Sequence, residues 1–441
     1  MSPSRTERAL AWSLRPFVKI QPEEAITTIL MTLITFILMT GYYLLKTARE
    51  PLILLQWGAE AKLYAEACQA LILLAVVRVY GAIARRVGRM KLLASVYLFF
   101  ASNMVVFAAL ARTNLHIGLA FFLWVGVFSY TSVAQFWAFA ADIFTEEQGK
   151  RLFAFMGTGS SVGSVAGSAL AHSLVKRGPD ILMVGAAVFV VVCVVLLGWV
   201  ELRTDSSSAE RAKMRQQPVA VESPLQLLIH DNYLVLIGAL TLALNCVSGL
   251  GDYVLDRALL AHVSSAGFPH AEASAFIGTF KSSFFGWYNV LALLLQLFAV
   301  SRILVRFGVR TALLVLPVAA VFGYGAYAIL PTLSLIRAVV IANRALDYSL
   351  TSTARHALFL VASRTEKYVG KTLVDSVGAR SGDLLSAIVV WIGVRSGMHT
   401  TGFAASAVVV SLGWIAVVMA IGRENKRRAS GVEFRMAVSP M

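Results

Sequence analysis

The residues in this sequence that could do chemistry are charges set inside apolar stretches. Lys46, Arg49 and Glu50 lie at the end of an apolar segment that begins at Ala25. Asp252, Asp256 and Arg257 close another, and Lys281 opens the next. Arg337, Arg344, Asp347 and Arg355 run through a later one, and Asp375, Arg380 and Asp383 through the one after it. A charge at the centre of a bilayer costs about 2.5–3.5 kcal/mol even on a lenient scale. Several at that cost would rival a protein's whole stability of about 5–15 kcal/mol. Such residues must pair, line a water-filled cavity or reach out from the span ends. The chemistry they offer is recognition of a charged solute. Arginines act as bidentate forks for phosphate or carboxylate, lysines as point charges, and carboxylates as counter-ions or proton carriers.

Spacing sharpens this. At about 100° per residue, Arg337, Arg344 and Arg355 fall within about 20° of one another on a helix. Three arginines make a poor lipid face and a good wall for an anion path. Asp347 is one turn from Arg344 and within pairing reach. Asp252 and Asp256 share a face, and Lys46 can pair with Glu50 at the same i, i+4 spacing. Pro51 removes a backbone donor and is expected to break or kink its helix. The candidate solute ligands are therefore Lys46, Arg49, Lys281, Arg337, Arg344 and Arg380. Glu50, Asp256, Asp347 and Asp383 are their candidate counter-ions or coupling groups. No Ser-His-Asp arrangement, catalytic carboxylate pair or metal-ligand spacing accompanies them, so neither an enzyme nor a cofactor or metal site is expected.

Two other motifs have structural readings. Gly157 to Ser164 resembles a phosphate loop but lacks the Gly-Lys-Ser/Thr ending and a preceding strand. Gly159, Gly163 and Gly167, four apart in an apolar helix, read instead as a helix-packing face. Phe136, Trp137, Phe139 and Phe144 read as an aromatic belt at a membrane interface.

The elements that must position these residues follow from composition. Of 441 residues, 58% are hydrophobic and 14% charged, against roughly a quarter charged in soluble proteins. Segments of about 20 apolar residues, the length that spans a bilayer, recur almost throughout. The expected spans are 25–45, 62–82, 91–111, 115–141, 151–173, 180–200, 232–256, 281–300, 309–330, 333–360, 369–393 and 401–421. The net charge of +15 does not indicate a nucleic-acid partner, because the basic residues sit in short clusters between apolar segments. Those clusters (Arg85 to Lys91, Lys150-Arg151, Arg203 to Arg215, Arg302 to Arg310, Arg364 to Lys371, Arg423 to Arg428) fall on one side with the N-terminus. The other side holds little beyond Lys62, Arg112, Lys176, Arg177 and Arg395. That asymmetry places both termini in the cytoplasm, in a bacterial inner membrane. Residues 1–24 are polar and carry no cleavable signal, and are expected to lie as a short helix at the membrane surface. Cys68, Cys193 and Cys246 are scattered in apolar segments and form no disulfide framework.

The longest hydrophilic stretch, residues 203–226, falls at the midpoint and reads as a linker between two six-helix halves, 25–202 and 227–422, with 423–441 as a tail. The halves resemble each other. Arg85-Arg86-Val87-Gly88-Arg89 is followed 220 residues later by Val305-Arg306-Phe307-Gly308-Val309-Arg310. Thr145-Glu146-Glu147 with Lys150-Arg151 is followed by Thr365-Glu366-Lys367 with Gly370-Lys371. Six plus six spans with parallel halves is the layout of the major facilitators. Gly81 to Arg89 also resembles that superfamily's loop between the second and third helices, with Arg85 in place of its acid. The expected fold is thus an all-α membrane protein of about twelve transmembrane helices, major-facilitator-like.

Three patches carry a closer resemblance. Tyr42-Tyr43-Leu44-Leu45-Lys46-Thr47-Ala48-Arg49-Glu50, Phe136 to Thr145 with Gln148, Lys150, Arg151 and Leu152, and Gly370-Lys371 with Asp375-Ser376-Val377-Gly378-Ala379-Arg380 occur in the order found in the nucleotide (ATP/ADP) translocases of plastids and intracellular bacteria. The chain resembles that family over nearly its whole length. The resemblance implies nucleotide exchange by alternating access and gives Arg49 the place of a basic phosphate ligand. Two segments differ from the family pattern. Trp124 to Val127 is apolar where the family has an acid, and Gly382-Asp383-Leu384 stands where it has Gly-Lys-Ser. The implied partners are a small anionic solute, nucleotide-like or otherwise phosphorylated, and the lipid bilayer. A major-facilitator carrier of a non-nucleotide solute and a non-transporting membrane scaffold are the alternatives.

Overall fold

The computed structural model describes Arg8, Trp12 and residues 20–84, 87–113, 115–203, 231–359 and 374–438. Most of the N-terminal segment, the linker from 204 to 230 and the 364–371 cluster lie outside the described residues. The first half forms α1 (Pro22–Ala84), α2 (Arg89–Leu110), α3 (Gly118–Ile143), α4 (Glu146–Leu174) and α5 (Pro179–Arg203). The second forms α6 (Asn232–Ala266), α7 (His270–Leu295), α8 (Ser301–Ile329), α9 (Leu333–Leu346), α10 (Ser352–Leu358), α11 (Ala379–Arg395) and α12 (Thr400–Val438). Short π-turns over Gln296–Val300 and Asp347–Thr351 join α7 to α8 and α9 to α10, and a third, Val374–Gly378, leads into α11.

Two helices change direction at a glycine. Gly58 in α1 (φ 80°, ψ 178°) and Gly308 in α8 (φ 75°, ψ 171°) take a left-handed backbone that a Cβ would oppose. With those turns as boundaries and α9 and α10 taken together, the described helices make twelve spans, six on each side of the midpoint. Among the described residues, seven stretches are long and apolar enough to cross a membrane by length and composition alone. Helix α4, with its glycines and serines, and the shorter α9 and α11, of 14 and 17 residues, are not among them.

Three span boundaries differ from the sequence expectation, for one physical reason. The first span does not end near Leu45 or break at Pro51. It runs on through Lys46, Arg49, Glu50 and Pro51 and turns only at Gly58. Helix α6 continues to Ala266, ten residues past Asp256, and α7 begins at His270, eleven before Lys281. A hydropathy window stops a span at its charges. Here the charges have partners inside the protein, so the helix continues through them. Pro51 removes one hydrogen bond, to the carbonyl of Thr47, and a single such loss does not end a helix that packing holds.

The chain divides into two compact units. The first comprises Met1–Gln56, Leu71–Val219 and Pro269–Gly286, and the second Trp57–Ala70, Ala220–Phe268 and Trp287–Met441. Each unit therefore includes a segment from the other sequence half: 269–286 in the first, 57–70 in the second.

In the first unit the expected glycine face is present. A Cβ on Gly159, Gly163 or Gly167 of α4 would lie 2.3, 2.4 and 2.7 Å from the carbonyl oxygens of Thr32, Phe36 and Thr40 on α1. The hydroxyls of Thr35 and Thr40 donate back to the carbonyls of Met156 (3.0 Å) and Gly163 (3.3 Å). The start of α4 is fixed by a capping box, Thr145 with Gln148. The buried Glu24 of α1 accepts from Gln148 Nε2 (2.9 Å) and Arg151 Nη2 (3.0 Å). Phe136, Phe139 and Phe144 are not an interfacial belt. All three are buried in this unit's core, where Trp137 packs edge-on against Phe136 and Phe153. Packing removes these rings from any interface.

The second unit repeats the glycine contact. A Cβ on Gly382 would lie 2.4 Å from the carbonyl oxygen of Leu242 on α6, and one on Gly378 would lie 3.1 Å from that of Gly238. Gly378 and Gly382 stand 219 positions after Gly159 and Gly163, and Gly238 and Leu242 stand 206 positions after Thr32 and Phe36.

Candidate functional site

In the first unit, α1 and the early part of α7 bring four of the predicted residues together. Glu50, 1% exposed, ion-pairs with Lys281 Nζ at 3.3 Å and with Arg49 Nε at 3.6 Å. Lys281 is itself 2% exposed. The Arg49 guanidinium lies 4.2 Å from the ring centre of Phe122. Lys46 Nζ lies 4.6 Å from that of Phe285 and 5.2 Å from that of Tyr43, and Lys281 Nζ 5.6 Å from that of Phe284. Aromatic faces attract cations without neutralising them. The cluster of Lys46, Arg49, Lys281 and Glu50 so combines three positive charges with one negative charge among rings. Beside it, His172 Nδ1 and Ser282 Oγ are 3.1 Å apart. Such an arrangement can hold an anion, because charge-assisted bonds strengthen where water is scarce.

In the second unit several cations close on acids one to one. Arg344 Nη2 on α9 ion-pairs with Asp252 Oδ2 on α6. This corrects the expected partner. Asp347, buried, lies within electrostatic range of both Arg344 and Arg355, but the ion pair of Arg344 is with Asp252. The π-turn over Asp347–Thr351 also breaks the predicted stripe. A π-turn holds one more residue than an α-turn, so Arg355 is rotated about 100° away from the line of Arg337 and Arg344. Arg337 lies on α9 two turns before Arg344, half-buried. On α11, Arg380 Nη1 bonds Asp383 Oδ2 at 3.1 Å, one turn away, and Asp383 is also within range of Arg344. The side chain of Asp375 lies outside the described residues. A small cavity lined by Val247, Ser248, Tyr324, Asn343, Arg344 and Trp414 adjoins the Arg344 pair.

Asp256 is buried, and its partner is Lys62 Nζ at 2.7 Å. The next residue, Arg257, donates from Nη1 to Tyr253 Oη at 2.9 Å, one turn back, and Tyr253 donates to Glu60 Oε1 at 2.9 Å. Sequence reasoning placed Lys62 among the sparse charges of a loop and gave it no role. A signal was available: Lys281 stands 219 positions after Lys62, the offset that relates the packing glycines. Among the described residues, no group of three or more His, Cys, Asp or Glu could hold a metal ion. The three cysteines are free, with Cys193 and Cys246 buried.

Comparison with known proteins agrees with this layout. The family model described as Major Facilitator Superfamily matches residues 31–363. Two curated relatives, both named ADP,ATP carrier protein 1, are similar over 288 residues. The one from Chlamydia muridarum is 26% identical and the one from Chlamydia trachomatis serovar D 25% identical, each over 56% of this chain and 53% of the relative. The chain thus spans about half the length of the curated relatives it matches. Among solved structures, a mutant form of the nucleoside transporter NupG superposes with a TM-score of 0.67 at 12% identity, covering 90% of this chain and 99% of that one. A bacterial homologue of the iron transporter ferroportin gives 0.60 at 13% identity, covering 90% and 98%. At such identities these structures establish the fold alone. With twelve spans in two related halves and a family model matched over well more than half its length, the chain belongs to the Major Facilitator Superfamily.

Proposed function

We propose that this protein is a secondary carrier of an anionic, phosphorylated, nucleotide-like solute, working by alternating access of its two six-helix halves. The observation that carries this reading is the Lys46, Arg49, Lys281 and Glu50 cluster of the first unit, where three cations and one carboxylate lie among aromatic rings. Arg49 supplies a fork for phosphate oxygens, and Lys46 and Lys281 add point charges. Arg337, Arg344 and Arg380 are secondary ligands, with Arg344 and Arg380 released when a solute phosphate displaces Asp252 or Asp383. Asp256, Asp347 and Asp383 neutralise the cations of the empty carrier or carry coupling protons. The similarity to two proteins named ADP,ATP carrier supports nucleotides as the first solutes to try and exchange as the mode. The basic clusters beside the termini support an inner-membrane protein with both termini in the cytoplasm and 203–226 as the linker.

The test is uptake of radiolabelled ATP and ADP into proteoliposomes, with and without internal nucleotide. Uptake that needs internal nucleotide, and that falls at least about tenfold in Arg49→Gln, the loss of one charge-assisted contact, is the expected result. No flux of either nucleotide from folded wild-type protein would end the nucleotide reading.

A further inference from the structure

Helices α6, α8, α9 and α12 of the second unit leave a small space between them, with room for about one water-sized particle. Val247 and Val340 give it apolar walls. Its polar lining comes from Ser248, Tyr324, Asn343, Arg344 and Trp414, and every one of these can donate a hydrogen bond. Trp414 is 2% exposed, and its indole Nε1, which can only donate, meets no acceptor among the described residues. Asn343 brings its amide to the Tyr324 hydroxyl, yet its buried Nδ2 has no acceptor there in hydrogen-bonding geometry. Tyr324 is 1% exposed, and its hydroxyl lies where Gly251 has no side chain; a Cβ on Gly251 would overlap it. Arg344 uses Nη2 on Asp252, and a guanidinium has five N–H donors to place.

We propose that this space is a site for one small inorganic anion, a halide such as chloride, held by Trp414, Asn343 and Arg344. A buried donor without an acceptor bears the full cost of its desolvation, and two such donors line this one space. A water molecule accepts hydrogen bonds but must also donate, and in this lining only the hydroxyls of Ser248 and Tyr324 can receive. An anion accepts from all five groups and returns nothing. A halide is weakly hydrated and tolerates the two valine walls. The space is too small for a phosphate group, so the site is distinct from any place the solute takes. The anion shares the Arg344 guanidinium with Asp252, and the two negative charges compete for it. A bound halide thereby loosens the ion pair that, under the proposed function, a solute phosphate displaces. That last link rests on the proposed function; the site itself does not.

The experiment uses no nucleotide, so its outcome is independent of what the carrier transports. The purified full-length protein is unfolded thermally while sodium bromide replaces sodium gluconate at constant ionic strength. Bromide should raise the unfolding temperature along a saturating curve, as a ligand of the folded state does; gluconate is too large to enter. Asn343→Leu keeps the shape of the side chain and removes its donors. It should move the bromide midpoint at least about tenfold higher, the loss of one hydrogen bond to a charged group. Trp414→Phe should act in the same direction, and Asn343→Leu tests the site without it if the smaller ring prevents folding. Asp252→Asn removes the competing carboxylate and should move the midpoint several-fold lower, the scale of a partly exposed ion pair. A water molecule in the space would produce none of these shifts. Equal stability of the wild-type protein in both salts overturns the site. So does a bromide effect that persists unchanged in Asn343→Leu, and so does a midpoint that Asp252→Asn leaves in place, since Arg344 would then not hold the anion.

Discussion

The two units hold their buried charges differently. In the first, Arg49 and Lys281 pair with Glu50, and Lys46, Arg49 and Lys281 lie against the rings of Phe285, Tyr43, Phe122 and Phe284. In the second, Arg344, Arg380 and Lys62 each close on a carboxylate of their own: Asp252, Asp383 and Asp256. The helical frame around them is shared, as the matched glycine contacts of α4 on α1 and of α11 on α6 show. The sequence has diverged on that common frame. At the offset of 206, Lys46 corresponds to Asp252, and at 219, Val125 of the apolar α3 corresponds to Arg344. A net positive cluster attracts an anion immediately. A self-neutralised cluster binds one only after an acid is displaced, so it responds to the solute more than it recruits it. Under the proposed function, the first unit captures the solute and the second answers it.

That contrast can be broken most forcefully at Lys281. Replacing it with methionine leaves Glu50 buried beside Arg49, 3.6 Å away, and losing one member of a buried pair costs about 3–5 kcal/mol. Thermal unfolding of the purified protein should show a large loss in stability, mostly recovered by adding Glu50→Gln. A small loss would mean that the first-unit cluster is more hydrated than its burial indicates.

The next effect has opposite signs in the two units. Lys46→Gln removes one charge-assisted contact and should weaken ATP binding by about ten- to a hundredfold, about 1.5–3 kcal/mol. Asp252→Asn takes the counter-ion from Arg344 and should tighten it by several-fold, since a partly exposed pair is worth about 1 kcal/mol or less. Equilibrium binding of labelled ATP to detergent-solubilised protein reads both. Weakening in both variants would remove the distinction between capturing and answering.

The glycines should report the opposite of contrast. Gly163→Ala and Gly382→Ala each push a methyl group to 2.4 Å from a carbonyl oxygen, and overpacking of this kind costs about 1–3 kcal/mol. The two losses, measured by thermal unfolding, should be alike. If they differ by more than about 1 kcal/mol, within the range of such overpacking costs, the two halves share a pattern of residues but not a mechanical role.

Much of the frame was legible in the sequence because bilayer physics writes it in long stretches. Span number, the helix-packing repeat and the packing face of Gly159, Gly163 and Gly167 all follow from apolar length and small-residue spacing. The ends of the spans around Glu50, Asp256 and Lys281 were not legible. A charge ends a hydropathy window, and its compensation by Lys281 or Lys62 is a contact across more than 190 residues. The partner of Arg344 was misread for a related reason: local spacing favoured Asp347, whereas the fold supplied Asp252. The π-turn over Asp347–Thr351 left no mark that an ideal 100° helical wheel could register. Lys62 was within reach of the sequence, but only through an offset of 219 that two weak loop matches had already hinted at as 220.

The smallest expected change is the most discriminating for the second unit. Arg380 and Asp383 are about a quarter exposed, one turn apart on the same helix, and a pair of that kind contributes about 0.2–1 kcal/mol. Arg380→Gln should therefore leave the unfolding temperature nearly unchanged. If Arg380 takes up a solute phosphate during the cycle, the same substitution should slow exchange while leaving the binding of labelled ATP to the empty carrier little altered, because in that carrier Asp383 already occupies the guanidinium. If binding falls as far as it does for Lys46→Gln, then Arg380 recruits the solute from the start and the second unit captures as the first does. If neither binding nor exchange changes, the pair is structural, and the charges that answer the solute narrow to Arg337 and Arg344.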